Sequence, residues 1–278
     1  MSADVLPKTE DKIKKVIFLG RKSGASAALD FLAKRGIKVS CVVATEDESY
    51  SPSLKATAQN YGIPVYTSDK EIYRMIENKD PVADDVDLVI SYLFWKRIKT
   101  PLINLGKRGC INFHPAPLPD YKSRAGYNSA ILDGRTDFGV SVHFIDSEEF
   151  DAGPIIKVLR FSIDKEKETA LSLEIKSQQK LFELFKETIE MFCQKDEIPT
   201  TANVGGLYLT SEELETMKII DPTKNTSELV NRKIRAFFFP PYSGAKVEIG
   251  GQYFTLVNEE ILDYIRRLID EEEKNRGN

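Results

Sequence analysis

Cysteine is scarce in this 278-residue chain and histidine scarcer still. Cys41, Cys110 and Cys193 are odd in number and far apart, with no C-x-x-C or related spacing. Neither a disulfide framework nor a zinc site is therefore expected. Two histidines, His114 and His143, are too few for a His/Cys metal cluster, so no metal is expected. Isolated cysteines usually behave as small core hydrophobes, which predicts three buried, reduced thiols in a reducing compartment. No apolar run approaches the ~20 residues that span a bilayer. The amino terminus, MSADVLPKTEDKIKK, lacks the apolar stretch of a signal peptide. The expected location is the cytoplasm, with no membrane partner. Positive charge is not in excess either: 39 Lys and Arg against 43 Asp and Glu give a formal net charge of −4. That balance argues against a surface dedicated to nucleic acid, while a small basic pocket for an anionic small molecule stays open.

What is present is ordinary globular composition, 41% hydrophobic and 29% charged, enough to bury a core without staples. Strand-like and helix-like runs alternate over the first 115 or so residues. Lys15–Gly20 (KVIFLG), Ile37–Ala44, Ile63–Thr67, Val86–Phe94 and Gly109–His114 read as strands. Ser23–Arg35, Leu54–Tyr61 and Asp69–Asn78 read as helices. This is the pattern of an open, mostly parallel Rossmann-like α/β sheet, whose ligands lie beyond the carboxyl ends of the strands. Two strand-like runs, Gly139–Asp146 and Pro154–Ile163, then follow without an intervening helix and suggest antiparallel or sharply turned pairing at one edge. A long amphipathic helix is expected over Thr169–Cys193. Composition loosens around Pro199–Asn203. The expected organisation is a polar tail over 1–14, a catalytic domain over 15–200 and a small α+β subdomain over 201–278. That subdomain should hold a hairpin turning at Gly250–Gly251 and a charged terminal helix that packs intramolecularly or forms a homodimer contact.

The stretch Cys110–Arg124, CINFHPAPLPDYKSR, carries the most chemistry. Alternation along a strand puts Asn112 and His114 on one face. Pro115, Pro117 and Pro119 cannot continue a central strand, so it ends at His114. An amide and an imidazole thus stand side by side where α/β sheets keep their sites. Taken alone, the pattern fits equally a capping Asn and a packed His before a rigid loop.

INFHPAPLP, followed some thirty residues later by GVSVHFIDSEEFDAGPII, resembles the paired signature of the folate-dependent formyltransferases. That superfamily includes enzymes acting on methionyl-tRNA, glycinamide ribonucleotide and nucleotide-linked amino sugars. The likeness covers roughly Val16 to Ile163, and RAFFFPPYSGA (Arg235–Ala245) resembles the segment opening the C-terminal part of the transfer-RNA and sugar enzymes. The resemblance implies a formyltransferase fold, 10-formyltetrahydrofolate as co-substrate, and Asn112, His114 and Asp151 as catalytic residues. It further implies a pteridine pocket walled by Leu93, Phe94 and Trp95 on one side and Glu149 and Phe150 on the other. His143 reads as a packed or hydrogen-bonded histidine rather than a catalyst. Gly20–Ser26 matches no phosphate-binding fingerprint and lacks the turn of the glycinamide ribonucleotide enzyme.

Within the family, the short C-terminal part and acidic balance favour a dTDP- or GDP-linked amino-dideoxy sugar of surface polysaccharide biosynthesis over transfer RNA. Tyr121, Lys122 and Arg124 are then expected on the sugar and diphosphate side, and Arg235, Phe239 and Tyr242 near the nucleotide. Other acceptors, including methionyl-tRNA or a hydroxyornithine, remain alternatives. So do a formyltetrahydrofolate hydrolase using the same triad on water, and a non-catalytic folate or nucleotide-sugar binding module.

Overall fold

The computed structural model describes residues 11–46, 48 and 50–276. Residues 1–10 of the expected polar tail, and 277–278 of the frayed end, lie outside the described residues. In chain order, β1 (Lys15–Gly20), α1 (Lys22–Lys34), β2 (Lys38–Val43), α2 (Leu54–Asn60), β3 (Val65–Tyr66), α3 (Asp69–Glu77), β4 (Leu88–Tyr92) and β5 (Cys110–His114) build the alternating half. They are followed by β6 (Tyr121–Ser123), α4 (Gly126–Leu132), β7 (Asp137–Phe144), β8 (Ile155–Ser162) and α5 (Ala170–Gln194). The remainder is β9 (Leu207–Leu209), α6 (Ser211–Met217), β10 (Ile219–Ile220), α7 (Ser227–Phe237), β11 (Lys246–Ile249), β12 (Gln252–Thr255) and α8 (Glu259–Arg276).

Seven strands form one sheet in the order β3-β2-β1-β4-β5-β7-β8. Neighbours from β3 to β5 run parallel and β7 joins β5 antiparallel. The α/β class read from the alternation is therefore the observed one. The strand order reverses between β2 and β4 on either side of β1, and the carboxyl ends of β1, β4 and β5 lie next to one another at that point. β1 shows why its run reads as unbroken apolar sequence. Ile17 and Leu19 pack into one cluster with Cys41, Val43, Ile72, Val89 and Leu102. Phe18, on the other face, joins Tyr92, Phe113 and Phe185 in an aromatic group whose ring centroids lie 4.9–6.5 Å apart. Both faces are dry, so each position needs an apolar residue. Losing a ring such as that of Phe185 from this group should cost about 3–5 kcal/mol.

The expected tail begins to pack before residue 14. Ile13 is fully buried, the Lys12 N–H donates to the Cys193 carbonyl (3.0 Å), and Arg35 forks onto Asp11 (2.8 and 2.9 Å). The three cysteines are buried and unpaired. No helix among the described residues is long and apolar enough to cross a membrane.

The chain divides into two compact units: one up to Pro119 with Gly139–Leu159 and Gln178–Gly205, the other Asp120–Phe138, Arg160–Ser177 and Gly206 onward. Sequence composition suggests a single cut near 200. Asp120–Phe138 groups with the C-terminal segment because β6 pairs in parallel with β9 and α4 packs on α7, and Arg160–Ser177 is tied to it by the Leu171 N–H donating to the Phe238 carbonyl (3.1 Å) and Arg235 donating to the Glu168 carbonyl (3.0 Å). Asn128 donates to the Ala236 carbonyl (2.7 Å) and Arg232 to the Leu132 carbonyl (3.2 Å) across that helix pair. In the second unit, β11 and β12 form the expected hairpin. Gly250 and Gly251 both take positive φ (59° and 80°), which a two-residue turn matching strand twist requires.

Candidate active site

β5 presents Asn112 between two neighbours. Register places Ser91 of β4 opposite it on one side and His143 of β7 on the other. The Ser91 hydroxyl, buried, donates to Asn112 Oδ1 (2.7 Å). That bond orients the amide, because a hydroxyl hydrogen needs the oxygen and turns Nδ2 the other way. Nδ2 then stands 3.1 Å from His143 Nε2 and 3.3 Å from Asp151 Oδ1. His143 Nδ1 lies 2.7 Å from the Phe144 carbonyl oxygen, which can only accept, so Nδ1 carries a proton. In the neutral ring, Nε2 is thereby an acceptor for the Asn112 amide.

His114, one alternation further on, ends the strand with only 5% of its surface exposed. Its Nδ1 lies 3.4 Å from Asp151 Oδ1. The proline loop after it is tied back by Ser141, opposite His114 on β7, whose hydroxyl donates to the Ala116 carbonyl and accepts the Leu118 N–H, both at 2.8 Å.

Asp151 reaches this group from the turn between β7 and β8. Its φ of +51° is one that Asp tolerates better than most L residues. Two residues on, Gly153 has no room for a side chain, since a Cβ there would stand 1.9 Å from the Phe144 carbonyl oxygen. Asn203 donates Nδ2 to the Asp151 carbonyl (2.8 Å) and the Gly153 carbonyl (2.9 Å). The outcome is one carboxylate oxygen within 3.4 Å of three nitrogens, on Asn112, His114 and His143. Distances of 3.3–3.4 Å are long for charge-assisted bonds, as befits a site that tightens around a reactant. Such a group can hold a developing oxyanion with an amide N–H and move a proton through an imidazole.

The structure thus brings together Asn112, His114 and Asp151. It adds Ser91, His143, Ser141 and Asn203, which sequence reasoning did not assign to the site. His143 is packed and hydrogen-bonded as expected, but its partners are the site itself.

Near the end of β4, Leu93 takes φ +57° and its carbonyl accepts from Arg21 Nε (2.8 Å). The Phe94 and Trp95 rings lie 4.6 Å apart, and the Arg97 guanidinium stands 5.2 Å from the ring of Phe150, which is 40% exposed. Glu149 is exposed, its N–H donating to Ser147 Oγ (3.4 Å). This loop offers flat apolar surface beside cations.

The six residues expected near sugar and nucleotide all belong to the second unit. Tyr121 is a packed residue there: its ring stacks on Phe138 and its hydroxyl donates to Asp133 (2.7 Å), with burial and that bond pushing its pKa upward. Arg235 is also buried, donating to the Glu168 carbonyl (3.0 Å), and desolvation lowers its pKa. Both side chains are committed inside the unit, unlike the open contacts the sequence suggests. Lys122 is half-buried on β6, Arg124 exposed, and Phe239 lies 5.7 Å from the ring of Tyr242, which is 70% exposed. No cluster of metal-ligating side chains occurs among the described residues.

Comparison with known proteins matches residues 14–189 to the Formyl transferase family. GDP-perosamine N-formyltransferase of Brucella melitensis is 31% identical over 198 residues, 71% of this chain and 73% of that enzyme. Methionyl-tRNA formyltransferase of Thermotoga neapolitana is 28% identical over 269 residues, 90% of this chain and 80% of that enzyme. The solved N-formyltransferase of Helicobacter canadensis, in complex with folinic acid and dTDP-3-aminofucose, superposes with a TM-score of 0.68 at 24% identity, covering 89% of each chain.

Proposed function

The chain belongs to the formyl transferase family, and from that premise we propose that it transfers a formyl group from 10-formyltetrahydrofolate to the amine of a nucleotide-linked amino-dideoxy sugar. It is a folate-dependent N-formyltransferase. The observation that carries the reading is the meeting of Asn112 Nδ2 and His114 Nδ1 on one oxygen of Asp151, with His143 Nε2 accepting from the same amide.

The folate supplies the formyl group, and the chain's residues supply polarity and proton traffic. The Asn112 hydrogen that faces Asp151 Oδ1 (3.3 Å) turns to the formyl oxygen, which becomes negative as the amine adds, while its other hydrogen stays on His143 Nε2; one such donor is worth about 3–4 kcal/mol. Asp151 holds the Nδ1 edge of His114, so exchange with the reacting amine falls to Nε2. His114 takes the proton that the amine loses and returns it to the departing folate nitrogen, while the Asp151 charge stabilises the imidazolium in between. The Leu93–Arg97 loop and Phe150 fit a flat pteridine with an anionic tail: aromatic walls for the ring and Arg97 for a carboxylate, Lys96 being paired with Asp69 (2.7 Å).

Two features favour a sugar acceptor over transfer RNA. The perosamine enzyme is the more similar of the two curated relatives in identity, 31% against 28%, and the net charge of −4 offers no excess of cations for a phosphate backbone. We place the reaction in the cytoplasm. The test is purified protein with 10-formyltetrahydrofolate and, in separate reactions, GDP-perosamine, a dTDP-amino sugar, methionyl-tRNA or buffer. The expected result is a product one carbonyl heavier with an amino sugar alone. Formylation of methionyl-tRNA alone, or folate release with buffer alone, overturns it.

A further inference from the structure

After α5 the chain returns alongside the Asp151 turn. Thr201 and Ile155 exchange both backbone hydrogen bonds (2.8 and 2.9 Å). Two residues later, Asn203 grips the turn itself through its pair of bonds to the Asp151 and Gly153 carbonyls. Both of those partners can only accept, so they fix which end of the amide faces the turn. Its other end, Oδ1, is buried with no hydrogen-bond partner among the described residues. Every bond this side chain makes to the turn is therefore made by its amide donor. Immediately before the first carbonyl it grips, the Asp151 backbone sits at φ +51°, in the left-handed region that non-glycine residues adopt infrequently.

We infer that Asn203 is a positioning residue of formyl transfer: it holds the backbone of Asp151 so that one carboxylate oxygen meets Asn112 and His114 together. Nothing in the sequence motif points to it, since it lies 52 residues from Asp151. The inference rests on the proposed reading of Asp151 as the carboxylate that serves His114.

The experiment is a double-mutant cycle on formyl transfer, using Asn203→Ala, Asn203→Asp, Asp151→Asn and the Asn203→Ala/Asp151→Asn pair in the full chain. Asn203→Asp keeps the shape of the side chain but sets an oxygen against each carbonyl, so it tests the donors even where the alanine variant folds poorly. A misplaced reactive group costs up to about 100-fold, so kcat should fall ~10–100-fold in both Asn203 variants with KM for folate and acceptor little changed. In the Asp151→Asn background, Asn203→Ala should add less than about twofold, because the group it positions is already lost. Wild-type kcat in both Asn203 variants, or an equal fractional loss in both backgrounds, overturns the inference. A wild-type enzyme that transfers no formyl group, or an Asp151→Asn variant at full rate, overturns the functional reading instead, and does so without reference to Asn203.

Discussion

Asn112 Nδ2 lies 3.1 Å from His143 Nε2 across the β5–β7 register, and His143 Nδ1 is engaged with the Phe144 carbonyl. The second histidine is therefore set as an acceptor that steadies the amide meant to hold the oxyanion. Removing it leaves an Asn112 hydrogen without its partner, at a cost of about 1–3 kcal/mol, and loosens the amide. His143→Ala should lower kcat by about 10-fold or more, short of the ~100–1,000-fold expected for losing an oxyanion donor outright. Steady-state kinetics on purified, folded protein check this, and an unchanged kcat would remove His143 from the site.

Gly153 owes its identity to space, not to backbone freedom. A Cβ at that position meets the backbone of Phe144, whose N–H is bonded to the Pro154 carbonyl (2.9 Å) and so cannot easily yield. Gly153→Ala should destabilise the fold by about 1–3 kcal/mol, the usual cost of overpacking, and reduce kcat with it, because the Asp151 turn must shift. Urea unfolding followed by circular dichroism measures the first effect. A variant as stable and as active as wild type would show that the turn is compliant.

Burial pushes the Cys41 thiol up to about 12 and the Cys193 thiol up to about 11, from an ordinary value of 9.0. Cys110 is raised too, by burial alone. The native state therefore holds these protons more tightly than the unfolded chain does. Their stabilising contribution is complete below pH 9, declines as pH rises, and is gone above the folded values. Stability in reducing buffer should accordingly fall between pH 9 and 11, and a thiol reagent at pH 8 should label native protein slowly but all three cysteines in denaturant. Rapid native labelling would mean that the core opens.

The alternation of runs made the sheet legible, since a strand buried on both faces is apolar where it is buried, as β1 is after Lys15. Asn112 and His114 were legible because prolines end their strand, and Asp151 because its motif travels with theirs. Ser91 and His143 were not, since cross-strand neighbours depend on sheet order, which a local pattern does not encode. β6 and α4 escaped notice for another reason: segments of three and seven residues carry too few periods to stand out, and α4 opens on a glycine. Those elements are what move 120–138 into the second unit. Tyr121 and Arg235 look like ligand contacts in sequence because aromatic and cationic residues serve there. Only packing reveals that Asp133 and the Glu168 carbonyl already claim them.

In the proposed mechanism Asp151, whose Oδ1 lies 3.4 Å from His114 Nδ1 and 3.3 Å from Asn112 Nδ2, holds and charge-stabilises the imidazole that carries the proton. Single-turnover transfer to the amino-sugar acceptor, wild type against the isosteric Asp151→Asn variant, tests it most directly. Product is expected with wild type and a rate about 100-fold lower or worse in the variant, the scale of lost general acid–base catalysis, with the fold intact by circular dichroism. Transfer at an equal rate by both proteins would contradict it.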